Sequence, residues 1–135
     1  MAEQSTLLIL KPDAVHRGLI GEVIGRIEGA GLRIEAIRMM EIEPDLAERH
    51  YAEHVQKPFF AELVDFITSG PVVVVKVTGP DAIATLRALM GATDPAKADK
   101  GTIRGDLGTD MPQNLVHGSD SEESAVRELA LFFVE

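Results

Sequence analysis

The chain has 135 residues, with 13 basic against 22 acidic side chains, a formal net charge of −9 and no cysteine. That length suffices for one domain with its own core, so residues 1–135 are read as a single domain. The acidic balance argues against a general grip on nucleic acid or anionic membrane, and the missing thiol removes disulfides, thiolate catalysis and zinc–thiolate sites.

The first apolar run, Leu7 to Leu10, is too short for a signal peptide, and no stretch reaches membrane-spanning length, so a soluble cytoplasmic protein is expected. Thr6 to Leu10 is apolar without alternation, the pattern of a central strand covered on both faces. Lys11 stands at its end and Pro12 stops it. Gly21 to Ala30 predicts a helix with Val23, Ile24, Ile27 and Ala30 on one face. Gly21, Gly25 and Gly29 form a smooth strip on it, which suggests close approach to another backbone. Gly31 is its expected C-cap.

Arg33 to Ile42 predicts a strand. Ile34, Ala36, Met40 and Ile42 would share one face, and the outward Ile37 and Met39 suit an edge strand. Pro44 to His54 and Phe59 to Ser69 predict two helices, the second striped by Phe60, Leu63, Val64 and Ile67. Pro71 to Thr78 is a β-branched strand, and Pro80 to Met90 a helix with Ile83, Leu86, Leu89 and Met90 inward. From Gly91 to Gln113 the periodicity vanishes; a loop that long in a compact domain is usually functional. Asn114 to His117 predicts a short strand and Ser121 to Ala130 a helix, with Asp120 and Glu123 as a capping box.

These elements reduce to a βαββαβ frame with an inserted helical pair: an α+β, ferredoxin-like sandwich, a four-stranded antiparallel sheet with helices on one face. The chemistry concentrates around His117, at the end of a short strand and next to a helix start, where an imidazole can meet phosphate. Phosphate-loop and zinc-protease motifs are absent. His16, His50 and His54 fit surface or packing roles; His50 and His54 are four apart but lack a clear third ligand. Lys11, Arg87 and Arg104 come from separate segments and could neutralise phosphate oxygens. An imidazole, with a reference pKa of about 6.5, is a good nucleophile near neutrality. Ser119 or Glu128 could hydrogen-bond its second nitrogen.

The stretch Asn114-Leu115-Val116-His117-Gly118-Ser119-Asp120 resembles the active-site signature of nucleoside diphosphate kinases. Lys11-Pro12-Asp13, Arg17-Gly18-Leu19-Ile20-Gly21-Glu22, Lys57-Pro58-Phe59-Phe60, Ser69-Gly70-Pro71-Val72, Thr93-Asp94-Pro95 and Gly101-Thr102-Ile103-Arg104-Gly105-Asp106 extend the resemblance, in family order, over essentially the whole chain. It implies transfer of the γ-phosphate of a nucleoside triphosphate, typically ATP, to a nucleoside diphosphate. The transfer would be ping-pong through phosphorylated His117, with broad base and sugar specificity, maintaining triphosphate pools. It further implies that Arg87, Thr93 and Arg104 hold phosphates, and that Lys11 and Asn114 contact the sugar hydroxyls, Lys11 also assisting the γ-phosphate. Phe59 would stack on the base, Tyr51 would support the pocket, and Ser119 and Glu128 would orient His117. Mg2+ would be carried by the nucleotide phosphates without direct protein ligands, with Asp120 touching it through water. A homo-oligomer built from dimers is implied, a hexamer favoured over a tetramer, in a chain ending at Glu135 before the C-terminal extension of longer members. Two rivals are an RNA-binding βαββαβ module, which would need aromatics on its sheet, and a relative that keeps His117 but has lost turnover.

Overall fold

Thr6 to Leu10 are completely buried and form the inner end of β1 (Glu3–Leu10). In the computed structural model, which describes residues 3–52, 55–109 and 114–133, β1 lies between β3 (Val72–Pro80) and β4 (Val116–Gly118). With β2 (Arg33–Met40) as the far edge, the sheet order is β2-β3-β1-β4, and every neighbouring pair is antiparallel. This is the ferredoxin-like arrangement. The two-residue period of a strand explains why β1 reads as unbroken apolar sequence. Leu8 and Leu10 enter one core, shared with Val73, Val75 and Val77, while Leu7 and Ile9 enter a second, shared with Val72 and Val74.

Both cores are roofed by helices. α2 (Ile20–Gly29), α5 (Ala82–Met90) and the short α6 (Ile103–Leu107) cover the first with Val23, Ile27, Leu86, Met90 and Ile103. α3 (Pro44–His50), α4 (Phe60–Ile67) and α7 (Glu122–Phe132) cover the second with Ala47, Ile67 and Phe132. The expectation of helices on one face is thus corrected: a second apolar face, with Leu7, Ile9, Val72 and Val74, would be left in water without the inserted pair and α7. α7 runs past the expected end at Ala130 and takes in the buried Phe132.

β2 is an edge strand with Ile37 and Met39 exposed, as its pattern implies. Its phase, however, is not continuous. A bulge between Ile34 and Ala36 breaks the register, so Ile34 packs on the first core and Met40 on the second. Gly31 follows α2 with φ +86°, the left-handed position that ends such a helix. A Cβ placed on Gly21, Gly25 or Gly29 meets nothing within 4 Å, so among the described residues no backbone approaches that strip.

The aperiodic stretch after Met90 is largely structured. Asp94 caps a 3₁₀ turn at Pro95–Lys97 and Thr102 caps α6. Arg26 reaches from α2 to Asp106 at 2.9 Å, and Asp106 accepts from the Gly101 N–H. A five-residue helix such as α6, or α1 (Pro12–His16) after Lys11, is too short to show a hydrophobic period. Residues 110–113 and His54 lie outside the described residues. The cap of α7 is the Ser121 hydroxyl, which accepts from the Ser124 N–H, in place of the expected Asp120–Glu123 box.

Candidate active site

The corner after β1 is built around a buried cation. Lys11, only 7% exposed, donates from Nζ to Asn114 Oδ1 at 2.9 Å, and Asn114 Nδ2 donates to the Thr93 carbonyl at 2.9 Å. One amide therefore ties the strand end to the long connection. The main chain is locked as well. Leu115, at φ +74°, donates its N–H to Asp13 Oδ2 at 3.1 Å, and its carbonyl accepts from the Lys11 N–H at 2.8 Å. Left-handed backbone at a branched residue persists only where its surroundings hold it. Here the Lys11–Asp13 corner does so, two residues before His117.

Arg104, on α6, closes the same corner. Its guanidinium donates to the carbonyls of Asn114, Gly91 and Val116, at 3.2, 3.1 and 2.6 Å. Among the described residues three of its five N–H groups are used, which leaves two for a ligand. Burial, and then the nearby Arg104, push the Lys11 ammonium down to about 8. Burial and then Arg87 push Arg104 down to about 10. Two cations are held dry and close, an arrangement that favours an anion between them.

His117 sits on β4 opposite Ile9. Its Nε2 lies 2.9 Å from Glu128 Oε1 on α7, and the Ser119 hydroxyl donates to that same oxygen at 2.8 Å. Of the two candidates for the second ring nitrogen, Glu128 makes the contact, and Ser119 acts one step behind it, on the carboxylate. A carboxylate only accepts, so this geometry assigns the proton to Nε2 and the lone pair to Nδ1.

Lys11, Tyr51, Phe59, Arg87, Thr93, Arg104, Asn114, His117, Asp120 and Glu128 all line one cavity of about 520 Å³; Ser119 is buried behind it. Phe59 stands 44% exposed at the mouth, with Lys57 Nζ 5.6 Å from its ring centre. Arg87 donates to the Gly118 carbonyl at 3.3 Å. Asp120 is held below the usual carboxylate range by its hydrogen bond with Ser124 and by Arg87, so it stays ionised. Tyr51 packs on the His50 ring, with centroids 4.7 Å apart. Burial, then Glu128, raises its hydroxyl above the ordinary tyrosine range.

Glu62 and Arg127 also line the cavity and were not singled out by sequence; His50, read there as a surface or packing residue, lines it too. His50 does pack, as expected, but its neighbour is the His117 ring, edge-on at 4.6 Å. Its position beside Tyr51, at the end of α3, was the one available signal.

The chain matches the family model described as nucleoside diphosphate kinase over residues 4–135. A nucleoside diphosphate kinase of Rubrobacter xylanophilus is 62% identical over 130 residues, covering 96% of this chain and 98% of the relative. One from Archaeoglobus fulgidus is 58% identical over 130 residues, 96% of this chain and 86% of the relative. Among solved structures, the halophilic nucleoside diphosphate kinase of Halobacterium salinarum in complex with CDP superposes with a TM-score of 0.96 at 50% identity, covering 99% of this chain and 90% of that one. The Aquifex aeolicus enzyme gives 0.95 at 41% identity, covering 98% and 96%. The chain belongs to the nucleoside diphosphate kinase family, enzymes that carry phosphoryl groups from one nucleotide to another.

Proposed function

We propose that residues 1–135 act as a single catalytic domain that moves the γ-phosphate of a nucleoside triphosphate onto a nucleoside diphosphate, by a ping-pong route through His117. The observation that carries this is the 2.9 Å contact between His117 Nε2 and Glu128, which leaves Nδ1 without a proton on a ring that lines a cavity bordered by cations. In the first half-reaction the Nδ1 lone pair forms a bond to the γ-phosphorus as the bond to the bridging oxygen breaks, and the diphosphate leaves with the electron pair. The ring becomes cationic, and Glu128 offsets that charge through Nε2–H. The second half reverses these steps with another diphosphate.

The loose phosphoryl transition state needs alignment and positive charge more than covalent help. Lys11, Arg87 and the two unused N–H groups of Arg104 supply the charge, and Thr93 supplies a hydroxyl at the phosphates. Asn114, with Lys11, faces the sugar hydroxyls. Phe59 offers a flat face to any base, which supports broad specificity, because stacking reads no base edge. The relative crystallised with CDP is consistent with a diphosphate ligand here.

Mg2+ prefers oxygen donors and keeps its waters. Asp120 fits that preference as an ionised carboxylate at the cavity wall, and would hold the ion through water with the phosphates as its main carriers. The ion, when bound, supplies charge neutralisation to the phosphate oxygens. We further propose a cytoplasmic homo-oligomer built from dimers, a hexamer by preference; light scattering distinguishes it from a tetramer.

The test is incubation with γ-labelled ATP followed by isolation of the protein. One acid-labile, base-stable phosphate per chain is expected, discharged by any added nucleoside diphosphate. A His117→Gln variant that labels and turns over like the wild type overturns the mechanism.

A further inference from the structure

His50, His117 and Glu128 come from α3, β4 and α7, yet their donor atoms all lie within 4.8 Å of one another, the one such group found among the described residues. His50 is 3% exposed and Glu128 4% exposed, so two of the three donors are dry. The chain spacing hid this cluster: the helical partner of His50 would be His54, four residues on, whereas the fold supplies partners from elements 67 and 78 residues away. Two imidazoles and one carboxylate make the donor set of a three-ligand zinc site with an open fourth position.

We propose that this floor of the cavity is a site for a borderline divalent ion such as Zn2+, distinct in chemistry from the phosphate-borne Mg2+, and that its occupancy arrests the enzyme. Donors around tetrahedral zinc stand about 3.3 Å apart, given bonds of about 2.0–2.1 Å. His117 Nε2 and Glu128 Oε1 already stand 2.9 Å apart. Closing the site requires the His50 donor, now within 4.8 Å of the other two, to move inward by up to about 1.5 Å, from a ring seated edge-on to His117. The ion takes the place of the proton between Nε2 and the carboxylate. The Nε2–H bond breaks, the Nε2–metal bond forms, and the proton goes to solvent. Glu128 then spends its charge on the metal. It no longer offsets the positive charge that develops on the ring when Nδ1 attacks. Only this inhibitory consequence rests on the nucleophilic role proposed for His117; the binding itself does not.

Zinc is titrated into the nucleotide-free full-length protein by calorimetry, since nucleotides chelate the ion. Co2+ serves as a spectroscopic stand-in, and imidazole nitrogens are followed by NMR. One ion per chain is expected, with the intense visible absorption of four-coordinate cobalt and shifts of the His50 and His117 nitrogens but not those of His16. Loss of a second-shell group alone weakens such sites 10- to 100-fold, so His50→Gln and His50→Phe should weaken zinc by about 100-fold or more. In zinc-buffered single turnovers, phosphohistidine formation should slow by about tenfold or more in the wild type, against each variant's own zinc-free rate. Equal affinity in wild type and both variants, six-coordinate cobalt, or shifts confined to His16 overturns the site. Zinc bound as described, with phosphohistidine formation unslowed, overturns its inhibitory effect. Zinc bound as described to a protein that never forms phosphohistidine overturns the proposed mechanism and leaves the binding inference standing.

Discussion

Lys11 should impose a basic limb on catalysis well below the range of an ordinary lysine. Burial, and then Arg104, lower its ammonium from 10.5 to about 8, against a smaller opposing pull from Asp13. In the free enzyme, which kcat/KM reports, the charged fraction falls about tenfold between pH 7 and pH 9, where a lysine at its ordinary value would lose only about 3%. Bound phosphates favour the charged form, so the limb in kcat should sit at least about one unit higher. Lys11→Arg keeps the charge throughout, and its scaled kcat/KM profile should lose the limb near pH 8. A wild-type kcat/KM that stays level to about pH 9.5, or a limb that survives Lys11→Arg, refutes this assignment.

The same shift has a stability counterpart of opposite sense. Below pH 8 Lys11 is charged both folded and unfolded, and the cost of burying it is fully present. From about 8 to 10.5 the folded protein releases its proton first, so stability rises with pH over that window. At 1.36 kcal/mol per unit the rise is at most about 3 kcal/mol. Denaturant midpoints against pH should show it in the wild type and not in Lys11→Met. That variant should also be more stable than the wild type at pH 7, and inactive.

Three further outcomes follow from the geometry. Glu128→Gln keeps the shape but removes the charge at Nε2, so kcat should fall about 10- to 100-fold with KM little changed; a fall confined to KM counts against a role in the transition state. Phe59→Ala removes the exposed ring and should raise KM by about 5- to 150-fold for purine and pyrimidine nucleotides alike, the equivalent of about 1–3 kcal/mol of stacking, whereas an effect on one base only would argue for edge recognition. Gly105→Ala drives a Cβ into the Asp99 carbonyl oxygen, a backbone atom that cannot yield without unseating α6. A fall in Tm equivalent to about 1–3 kcal/mol is expected, and an unchanged Tm contradicts the close approach.

The frame was legible because its signals are long. β1 ends in an unbroken apolar run, β3 is mostly valine, and α2 and α4 carry full stripes, so the order of elements along the chain and most helices could be read from periodicity. What escaped is short or non-local. α1 and α6 are five residues each, and their ends are set by Pro12 and by the Thr102 cap rather than by a period. The bulge at β2 is invisible in a sequence that alternates on either side of it. Most predicted site residues line one cavity, but which group meets which was not readable. Ser119 against Glu128 as the partner of Nε2, or His50 against the His117 ring, depends on α3, β4 and α7 converging from distant parts of the chain.

The corner that aligns these groups is costly to the empty protein. Lys11 and Arg104 are both held below their ordinary pKa values by burial, and Leu115 is held in left-handed backbone, so the fold maintains two dry cations and a strained peptide. Asn114, Asp13 and three backbone carbonyls offset part of that cost through hydrogen bonds. An anion between the cations should offset much of the rest. A nucleoside diphosphate at 100 times its Kd should then stabilise the protein by about 2.7 kcal/mol through mass action. Lys11→Met should lose most of that gain at a fixed ligand concentration, because it weakens binding while relieving the unliganded state. Thermal shifts with and without nucleotide, compared between the two proteins, separate these contributions. Equal nucleotide-induced shifts would mean that Lys11 is not among the groups that face the phosphates.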